Sequence, residues 1–199
     1  MHGCCNLPSG SVIREFDAVD FFNRGPVIEV YFDASTTGFG GFMLVDGIPE
    51  CYTYGRFTKL DADTLQVVNE QSRAQQAFES LALLIILRMW LPGFAKHRVS
   101  VRVRGDNMAA LAMLAKMQPK SRSLQIVARE LALDLSQCSY SPDFIEHVPG
   151  ISNGVADALS RMAEVNSSFQ LPTMLSTTRF DAAPHRNSAW WRTKRAVAS

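Results

Sequence analysis

Four acidic residues have types and positions that suit a metal-dependent hydrolytic site. Asp33 ends an apolar, extended run, and Asp106 directly follows another such run. In sheets with helical crossovers, ligands gather near the ends of strands. Each acid also has an ordinary alternative. Asp33 could be a turn residue before Ser-Thr-Thr-Gly, and Asp106 could be the N-cap of the following helix.

Glu79 is the acid with the most apolar surroundings, because it lies within AFESLALLIILRMW. At helical spacing it shares a face with Leu83 and Ile86. A carboxylate on a buried face is unfavourable unless it meets a cation, a proton or a metal ion. The sequence leaves two interpretations open, which are a metal ligand and an ion pair with Arg88 or Arg104.

Asp157 lies in the early turns of the last predicted helix, where the helix dipole favours an anion. Taken alone it would be a surface acid. Together, the four acids predict a shared carboxylate cluster, and hard cations such as Mg²⁺ are the usual way to offset the repulsion in such a cluster. Two ions about 4 Å apart stabilise the attacking and leaving oxygens of a phosphodiester displacement.

The elements that must position these acids follow from the hydrophobic pattern. Three strands form an antiparallel meander, and a long helix, a strand, two helices, a strand and a helix follow. The strands are predicted at 27–33, 41–47, 51–57, 99–103 and 144–148, and the helices at 69–91, 107–117, 123–137 and 152–162. The glycines at 38, 40 and 41 are predicted to form the turn into the second strand. This order indicates a mixed sheet with helices on its faces.

Composition and charge set the broad class. The chain has 199 residues, of which 47% are hydrophobic and 20% charged, so it can bury a core and is not a disordered, collagen-like or disulfide-based protein. Residues 1–161 carry 15 Lys and Arg against 17 Asp and Glu, and residues 162–199 carry five against two. We expect a lead-in at 1–25, a domain at 26–162 and a flexible basic tail or linker at 163–199.

No secretory signal is visible in the first twenty residues, and the longest apolar run, 81–87, is far shorter than the roughly 20 residues that span a bilayer. The four cysteines lack metal-binding spacing and are expected to be reduced thiols. These features predict an intracellular protein, in the cytoplasm or nucleus, with no membrane partner.

Four strings, in this order, resemble the ribonuclease H domain of retroelement polyproteins. The resemblance is to the domain that follows reverse transcriptase in long-terminal-repeat and tyrosine-recombinase retrotransposons. The strings are YFDASTTGFGGFM, FESLALLIILRMW, VRVRGDNMAALAML and HVPGISNGVADALSR. The last is the most specific, with its His-x-Pro-Gly turn and its Asn-x-x-Ala-Asp-x-Leu-Ser-Arg pattern. Together they lie within residues 27–162, about two-thirds of the chain.

The resemblance implies an RNase H-like α/β fold, with a five-stranded mixed sheet of order 3-2-1-4-5 flanked by helices. It also implies hydrolysis of the RNA strand of RNA/DNA hybrids with two Mg²⁺ ions, for which Mn²⁺ substitutes. The catalytic and metal-binding residues would be Asp33, Glu79, Asp106 and Asp157. Asp33 would bridge both ions, and the products would carry a 3′-hydroxyl and a 5′-phosphate.

Contacts to nucleic acid are predicted at Ser35, Asn107 and Asn153, with support of the helix start as the alternative for Asn153. Gln75 and Gln76 are interpreted as part of a solvated helix face. Only the string MQPKSRS separates the two central helices, so the basic substrate-handling insertion of bacterial relatives is missing. This departure predicts that a neighbouring reverse transcriptase domain helps to bind the hybrid.

Two other functions remain open at this stage. The chain could be a catalytically inactive RNase H-like remnant that acts as a scaffold. It could also be another nuclease of the same fold that acts on DNA, such as a resolvase or an integrase. The Asn-x-x-Ala-Asp-x-Leu-Ser-Arg string argues against the DNA nuclease.

Overall fold

A mixed β-sheet with helices on both faces forms the framework of the computed structural model. The structure describes residues 25–67, 71–94, 99–117, 119, 121–136, 142–147, 153–164 and 168–192. Within these residues the strands are β1 (Val27–Ala34), β2 (Gly38–Val45), β3 (Ile48–Arg56), β4 (Ser100–Gly105), β5 (Pro142–His147) and β6 (Arg179–Phe180). The α-helices are α1 (Lys59–Leu65), α2 (Gln71–Trp90), α3 (Met108–Lys116), α4 (Arg122–Leu135) and α5 (Gly154–Arg161).

The strand order confirms the predicted topology and adds one strand to it. In the described part of the chain the order is β5-β4-β1-β2-β3-β6. The first three strands pair antiparallel, β4 lies parallel to β1, and β5 lies parallel to β4. The predicted order 3-2-1-4-5 is therefore correct for β1 to β5. The predicted count of five is corrected to six, because β6 pairs parallel to the outer edge of β3.

The long helix α2 packs against one face of the sheet and is covered on its other side by α3 and α4. It buries nine consecutive residues, Glu79 to Leu87, because it has neighbours on nearly every side. In the described residues, the stretch Ala74–Phe94 alone is long and apolar enough to cross a membrane by composition. Most of it is buried inside the domain, which accounts for its composition.

The glycines of β2 correct one prediction. Gly38, Gly40 and Gly41 lie within the strand and not in the turn before it. A Cβ on Gly40 would lie 2.4 Å from Leu159 of α5, and one on Gly41 would lie 2.4 Å from Cδ1 of Ile86 of α2. The glycines are thus needed because helices approach β2 closely from opposite faces.

The short helix α1 is not among the elements predicted from the hydrophobic pattern. Its start carries a capping box, in which the Thr58 hydroxyl accepts from the backbone N–H of Asp61 and the Asp61 carboxylate accepts from the backbone N–H of Thr58. The capping pattern is visible in the sequence, but the helix that follows it has only seven residues, too few to show a helical period of apolar residues.

Residues 168–192, here called the C-terminal segment, pack against the domain and correct the flexible tail predicted for 163–199. Trp191 is fully buried in the core formed by α2 and α4 with the sheet. Arg186 forms a buried ion pair with Asp61, with Nε and Oδ2 3.0 Å apart. A large aromatic side chain and a paired buried charge therefore hold the segment in place. Residues 1–24 of the predicted lead-in and 193–199 of the tail lie outside the described residues.

We predict that Trp191→Ala destabilises the whole domain by about 3–5 kcal/mol, because it leaves a cavity the size of an indole ring in the core. Denaturant unfolding of the full chain measures this change. Met174→Ala is the matched control, since Met174 lies in the same segment but is 45% exposed. The control should cost no more than about 0.5 kcal/mol. Equal and small effects of both changes would contradict the packing of the segment on the core.

Candidate active site

Three of the four predicted acids meet at one edge of the sheet. Asp33, Glu79 and Asp106 each offer a carboxylate oxygen, and these oxygens all lie within 4.8 Å of one another. The neighbouring parallel strands β1 and β4 carry Asp33 and Asp106 to the same edge, as the carboxyl ends of parallel strands do. Glu79 reaches them from α2. We call these three residues the acidic triad.

Asp106 is not the N-cap of α3, so the ordinary alternative for this residue is wrong. The cap is Asn107, whose Oδ1 accepts a hydrogen bond from the backbone N–H of Ala110 at 3.1 Å. The capping bond is therefore made by the next residue, and Asp106 contributes its carboxylate to the acidic triad. Asp33 lies within β1 and is 5% exposed, so it is not a turn residue either.

The arginines proposed as alternative partners of Glu79 bind other acids. Arg88 pairs with Glu130 at 2.8 Å and with Asp134 at 2.7 Å. Arg104 pairs with Glu29 and Glu146 on the sheet. The ion-pair alternative for Glu79 is therefore wrong.

Glu79 is buried with little compensation for its charge. It is 4% exposed, its Oε1 accepts from the Gln75 side-chain amide at 3.0 Å, and its Oε2 makes no hydrogen bond within the described residues. Burial, followed by the charges of Asp33 and Asp106, raises the pKa of Glu79 to about 9. A carboxylate in this position has an oxygen free to bind a metal ion. The positive charge of that ion would stabilise the ionised form, which burial disfavours.

Asp33 is subject to the same effects in milder form. Burial raises its pKa to about 6, and the charges of Asp106 and Asp157 act in the same direction. A hydrogen bond from the Ser160 hydroxyl to Asp33 Oδ2, at 2.7 Å, opposes the rise. The acidic triad therefore concentrates hard oxygen donors and negative charge without a cation among its members. This donor set fits a divalent ion such as Mg²⁺.

Asp157, the fourth predicted acid, lies beside the triad but outside the 4.8 Å group. It is close enough for its charge to raise the pKa of Asp33. Its Oδ1 accepts from both Nε and Nη2 of Arg161, each at 2.9 Å. The structure thus places Asp157 next to the triad with an arginine already bound to it.

Two of the three residues predicted to contact nucleic acid make hydrogen bonds inside the protein instead. Asn153 is 1% exposed, and its Nδ2 donates to the backbone carbonyl of Phe32 at 3.1 Å, directly before Asp33. The buried Ser35 hydroxyl accepts from the Gly38 N–H at 3.0 Å and lies 3.2 Å from the Ser160 carbonyl. Neither side chain is accessible to a nucleic acid, so both predictions are corrected. Asn107 caps α3 while remaining partly exposed, and its contact with nucleic acid stays a prediction.

Sequence reasoning missed two residues that hold the acids. Gln75 was assigned to a solvated face, yet its amide contacts Glu79 and also donates to the Ala34 carbonyl at 2.7 Å. Ser160, which contacts Asp33, was quoted in the last string without a role. The available signals were the spacing of four residues between Gln75 and Glu79 on a helix, and the place of Ser160 within Ala-Asp-x-Leu-Ser-Arg. Neither signal indicates a contact by itself.

A groove of about 650 Å³ is lined by Thr36 and Thr37, in the turn that follows Asp33, and by Phe78, which directly precedes Glu79 in the chain. Its wall combines hydroxyl groups, two cationic side chains, one acidic side chain and two aromatic rings. The residues that define this character are Thr36, Thr37, Thr58, Arg56, Lys59, Glu164, Phe57 and Phe78.

No family model and no curated protein sequence matches this chain. Solved structures do match. LC11-RNase H1, in a crystal structure of its complex with an RNA/DNA hybrid, is 17% identical, covers 69% of this chain and 95% of its own, and has a TM-score of 0.52. RNase H1 from the archaeon Halobacterium salinarum NRC-1 is 19% identical over 67% of this chain and 92% of its own, with a TM-score of 0.47.

The N-terminal RNase H domain of a Mycobacterium tuberculosis protein is 17% identical and covers 69% of this chain and 91% of its own, with a TM-score of 0.46. At these identities the likeness concerns the fold. The sheet order and the match to LC11-RNase H1 assign the RNase H fold to this chain.

We predict that Glu79→Gln stabilises the metal-free protein at pH 8. Folding raises the pKa of Glu79 from 4.5 to about 9, so the folded chain holds a proton that the unfolded chain releases. The associated stability is fully present below about pH 4.5 and is lost as the pH rises toward 9. Asp33 adds a similar loss of stability between about pH 3.8 and about pH 6. In EDTA, the Tm of the wild type should therefore fall from pH 5 to pH 8 by more than that of Glu79→Gln.

The expected difference is several degrees, because about 1 kcal/mol shifts the Tm of a domain of this size by roughly 2–4 °C. Glu50→Gln is the matched control, since Glu50 is a half-exposed acid at the far side of the sheet. It should follow the wild type at both pH values. A fall in Glu79→Gln as steep as that of the wild type would show that Glu79 carries no burial penalty.

Proposed function

We propose that this chain is a metal-dependent endonuclease that hydrolyses the RNA strand of RNA/DNA hybrids. The observation that carries the proposal is the acidic triad, three carboxylates within 4.8 Å of one another at one sheet edge of an RNase H fold. Two further observations support it. The four strings resemble retroelement ribonuclease H domains, and the similar LC11-RNase H1 was crystallised with an RNA/DNA hybrid.

The acidic triad would hold Mg²⁺, or Mn²⁺ in its place, through its carboxylate oxygens. A bound ion of this kind activates water and offsets the charge that develops on a phosphodiester during displacement. The protein supplies rigid ligands, since Asp33 lies on a central strand and the Gln75 amide fixes Glu79. Ligands that are already in place need no reorganisation when the charge develops.

Asp157 would complete the site for a second ion, as the resemblance implies. Its position beside Asp33 suits that role, and its negative charge already acts on Asp33. Its bond to Arg161 has to be replaced for this to occur. Because both side chains are more than 40% exposed, the bond is a surface ion pair of small energy, and its replacement is inexpensive.

The groove beside the triad would accept part of the nucleic-acid backbone. Hydroxyl groups and cationic side chains are the usual partners of phosphate oxygens, and Arg56 and Lys59 supply the charge. Asn107, which follows Asp106 directly, is the remaining candidate for a contact with sugar or phosphate. Discrimination of RNA from DNA requires a contact with the 2′-hydroxyl.

We further infer a retroelement origin and a neighbouring reverse transcriptase domain as partner. Only residues 117–121 separate α3 from α4, so this region holds no basic substrate-handling insertion. The near balance of charge, 20 basic against 19 acidic side chains, gives little long-range attraction for nucleic acid. A second domain would supply the missing affinity. These substrates occur in the cytoplasm or nucleus, where we place the protein.

The test is cleavage of a hybrid whose RNA strand is end-labelled, with Mg²⁺ and with or without an added reverse transcriptase domain. We predict RNA cleavage that leaves a 3′-hydroxyl and a 5′-phosphate. Asp106→Asn should lower the rate by at least about 100-fold, because even residues that only orient metal ligands contribute factors of 10–100. Glu50→Gln is the control, since this half-exposed acid at the far side of the sheet pairs with Arg179 and lies outside the groove lining. It should cleave at a rate near that of the wild type.

Parallel substrates separate the alternatives. Cleavage of duplex or branched DNA in preference to the hybrid would assign the DNA nuclease instead. Absence of cleavage with the added domain, together with no heat of Mg²⁺ binding near millimolar concentration, would assign the scaffold. Equal rates for the wild type and Asp106→Asn would show that the measured cleavage does not come from the acidic triad.

A further inference from the structure

The Ser160 side chain connects the strand that carries Asp33 with the helix that carries Asp157. Its hydroxyl oxygen lies 2.7 Å from Asp33 Oδ2 and 2.9 Å from the backbone carbonyl oxygen of Asp157. Ser160 is fully buried. Because a charged acceptor forms the stronger hydrogen bond, the hydroxyl donates its proton to an ionised Asp33.

The position of Ser160 is fixed from two other directions. Its backbone carbonyl lies 3.2 Å from the Ser35 hydroxyl, which belongs to the turn after β1. A Cβ on Gly40 would come within 2.4 Å of the Ser160 nitrogen, and a Cβ on Gly38 within 2.6 Å of its carbonyl oxygen. The backbone of Ser160 therefore lies directly on β2, which fixes the point from which its hydroxyl reaches Asp33.

Packing alone does not explain a serine at this position. The face of α5 toward the sheet is apolar, with Ala156 and Leu159 both fully buried against Phe42. A hydroxyl among such residues is unfavourable unless its hydrogen bond compensates for the lost water. Here the compensating acceptor is an acid of the triad.

We propose that Ser160 is a positioning residue of the metal site. Its hydroxyl fixes the orientation of the Asp33 carboxylate and couples α5, and with it Asp157, to the acidic triad. This inference rests on the proposed function in one respect, namely that Asp33 binds a metal ion. It adds a residue that acts through Asp33 and touches neither the ion nor the substrate.

The test measures Mn²⁺ binding to the full chain by calorimetry, with hybrid cleavage as a second readout. Ser160→Ala removes the hydroxyl with almost no change in volume, and we expect it to weaken Mn²⁺ binding by about 10–100-fold. In cleavage at fixed metal concentration, kcat should fall while KM for the hybrid stays within about twofold. Ser160→Cys keeps the size of the side chain but donates a weaker hydrogen bond, so its affinity should also be reduced.

Ser80→Ala is the matched control. Ser80 is a fully buried helical serine whose hydroxyl donates only to the Gln76 carbonyl among its described bonds, at 2.9 Å. The same chemical change there should leave Mn²⁺ binding unaltered. Thermal unfolding in EDTA checks that each variant is folded. If Ser160→Ala does not fold, the comparison is made with Ser160→Cys.

The outcomes distinguish this inference from the proposed function. Mn²⁺ binding that weakens in the Ser160 variants and not in Ser80→Ala supports the positioning role, even if the wild type cleaves no hybrid and the proposed function fails. Unchanged binding and unchanged kcat in the folded Ser160 variants would overturn the inference while leaving hybrid cleavage intact. A wild type that binds no Mn²⁺ would overturn it as well.

Discussion

The crowding of three carboxylates, two of them buried, in one small space is the constraint on which the rest of the structure depends. Asp33, Glu79 and Asp106 approach within 4.8 Å, and burial raises the pKa of the first two. Charges so placed repel one another and lose hydration, so the surrounding fold has to hold them by packing. Arg88 and Arg104 are bound to other acids, and Arg161 is bound to Asp157, so none of these arginines pairs with the triad, whose negative charge is left available to a metal ion.

The contact between α5 and the sheet is the part of the fold that holds the Asp33 carboxylate in place most directly. Glycines at 38 and 40 let the backbone of α5 lie on β2. Asn153 and Ser160 then reach the strand that carries Asp33, one through the backbone carbonyl of Phe32 and the other through the carboxylate itself. Residues far apart in the chain thus determine the geometry of one acid, and the last helix both supplies Asp157 and orients Asp33.

The C-terminal segment extends the same packing unit beyond the last helix of the RNase H fold. Trp191 fills the core on the side of α2 and α4, while Arg186 neutralises Asp61, the acid that caps α1. β6 pairs with Cys51 and Tyr52 and so covers part of the edge of β3, which would otherwise present unpaired backbone groups. The basic charge of this segment, which suggested a flexible tail or linker, is used in part for ion pairs inside the protein.

Periodicity in the sequence by itself predicted the strands and helices, and the resemblance of four local strings supplied the strand order of β1 to β5 and the four candidate acids. The sequence did not show that three acids converge while Asp157 stays bound to Arg161. It placed the glycines of β2 in a turn, because glycine is typical of turns and only the approach of α2 and α5 explains them in a strand. It predicted a flexible tail at 163–199. The few contacts that hold 168–192 are long-range, and such contacts leave no local pattern in the sequence. Ser35, Asn153 and Ser160 could be assigned only in three dimensions, since a hydroxyl or an amide has the same sequence signature whether it meets a phosphate or a buried backbone carbonyl.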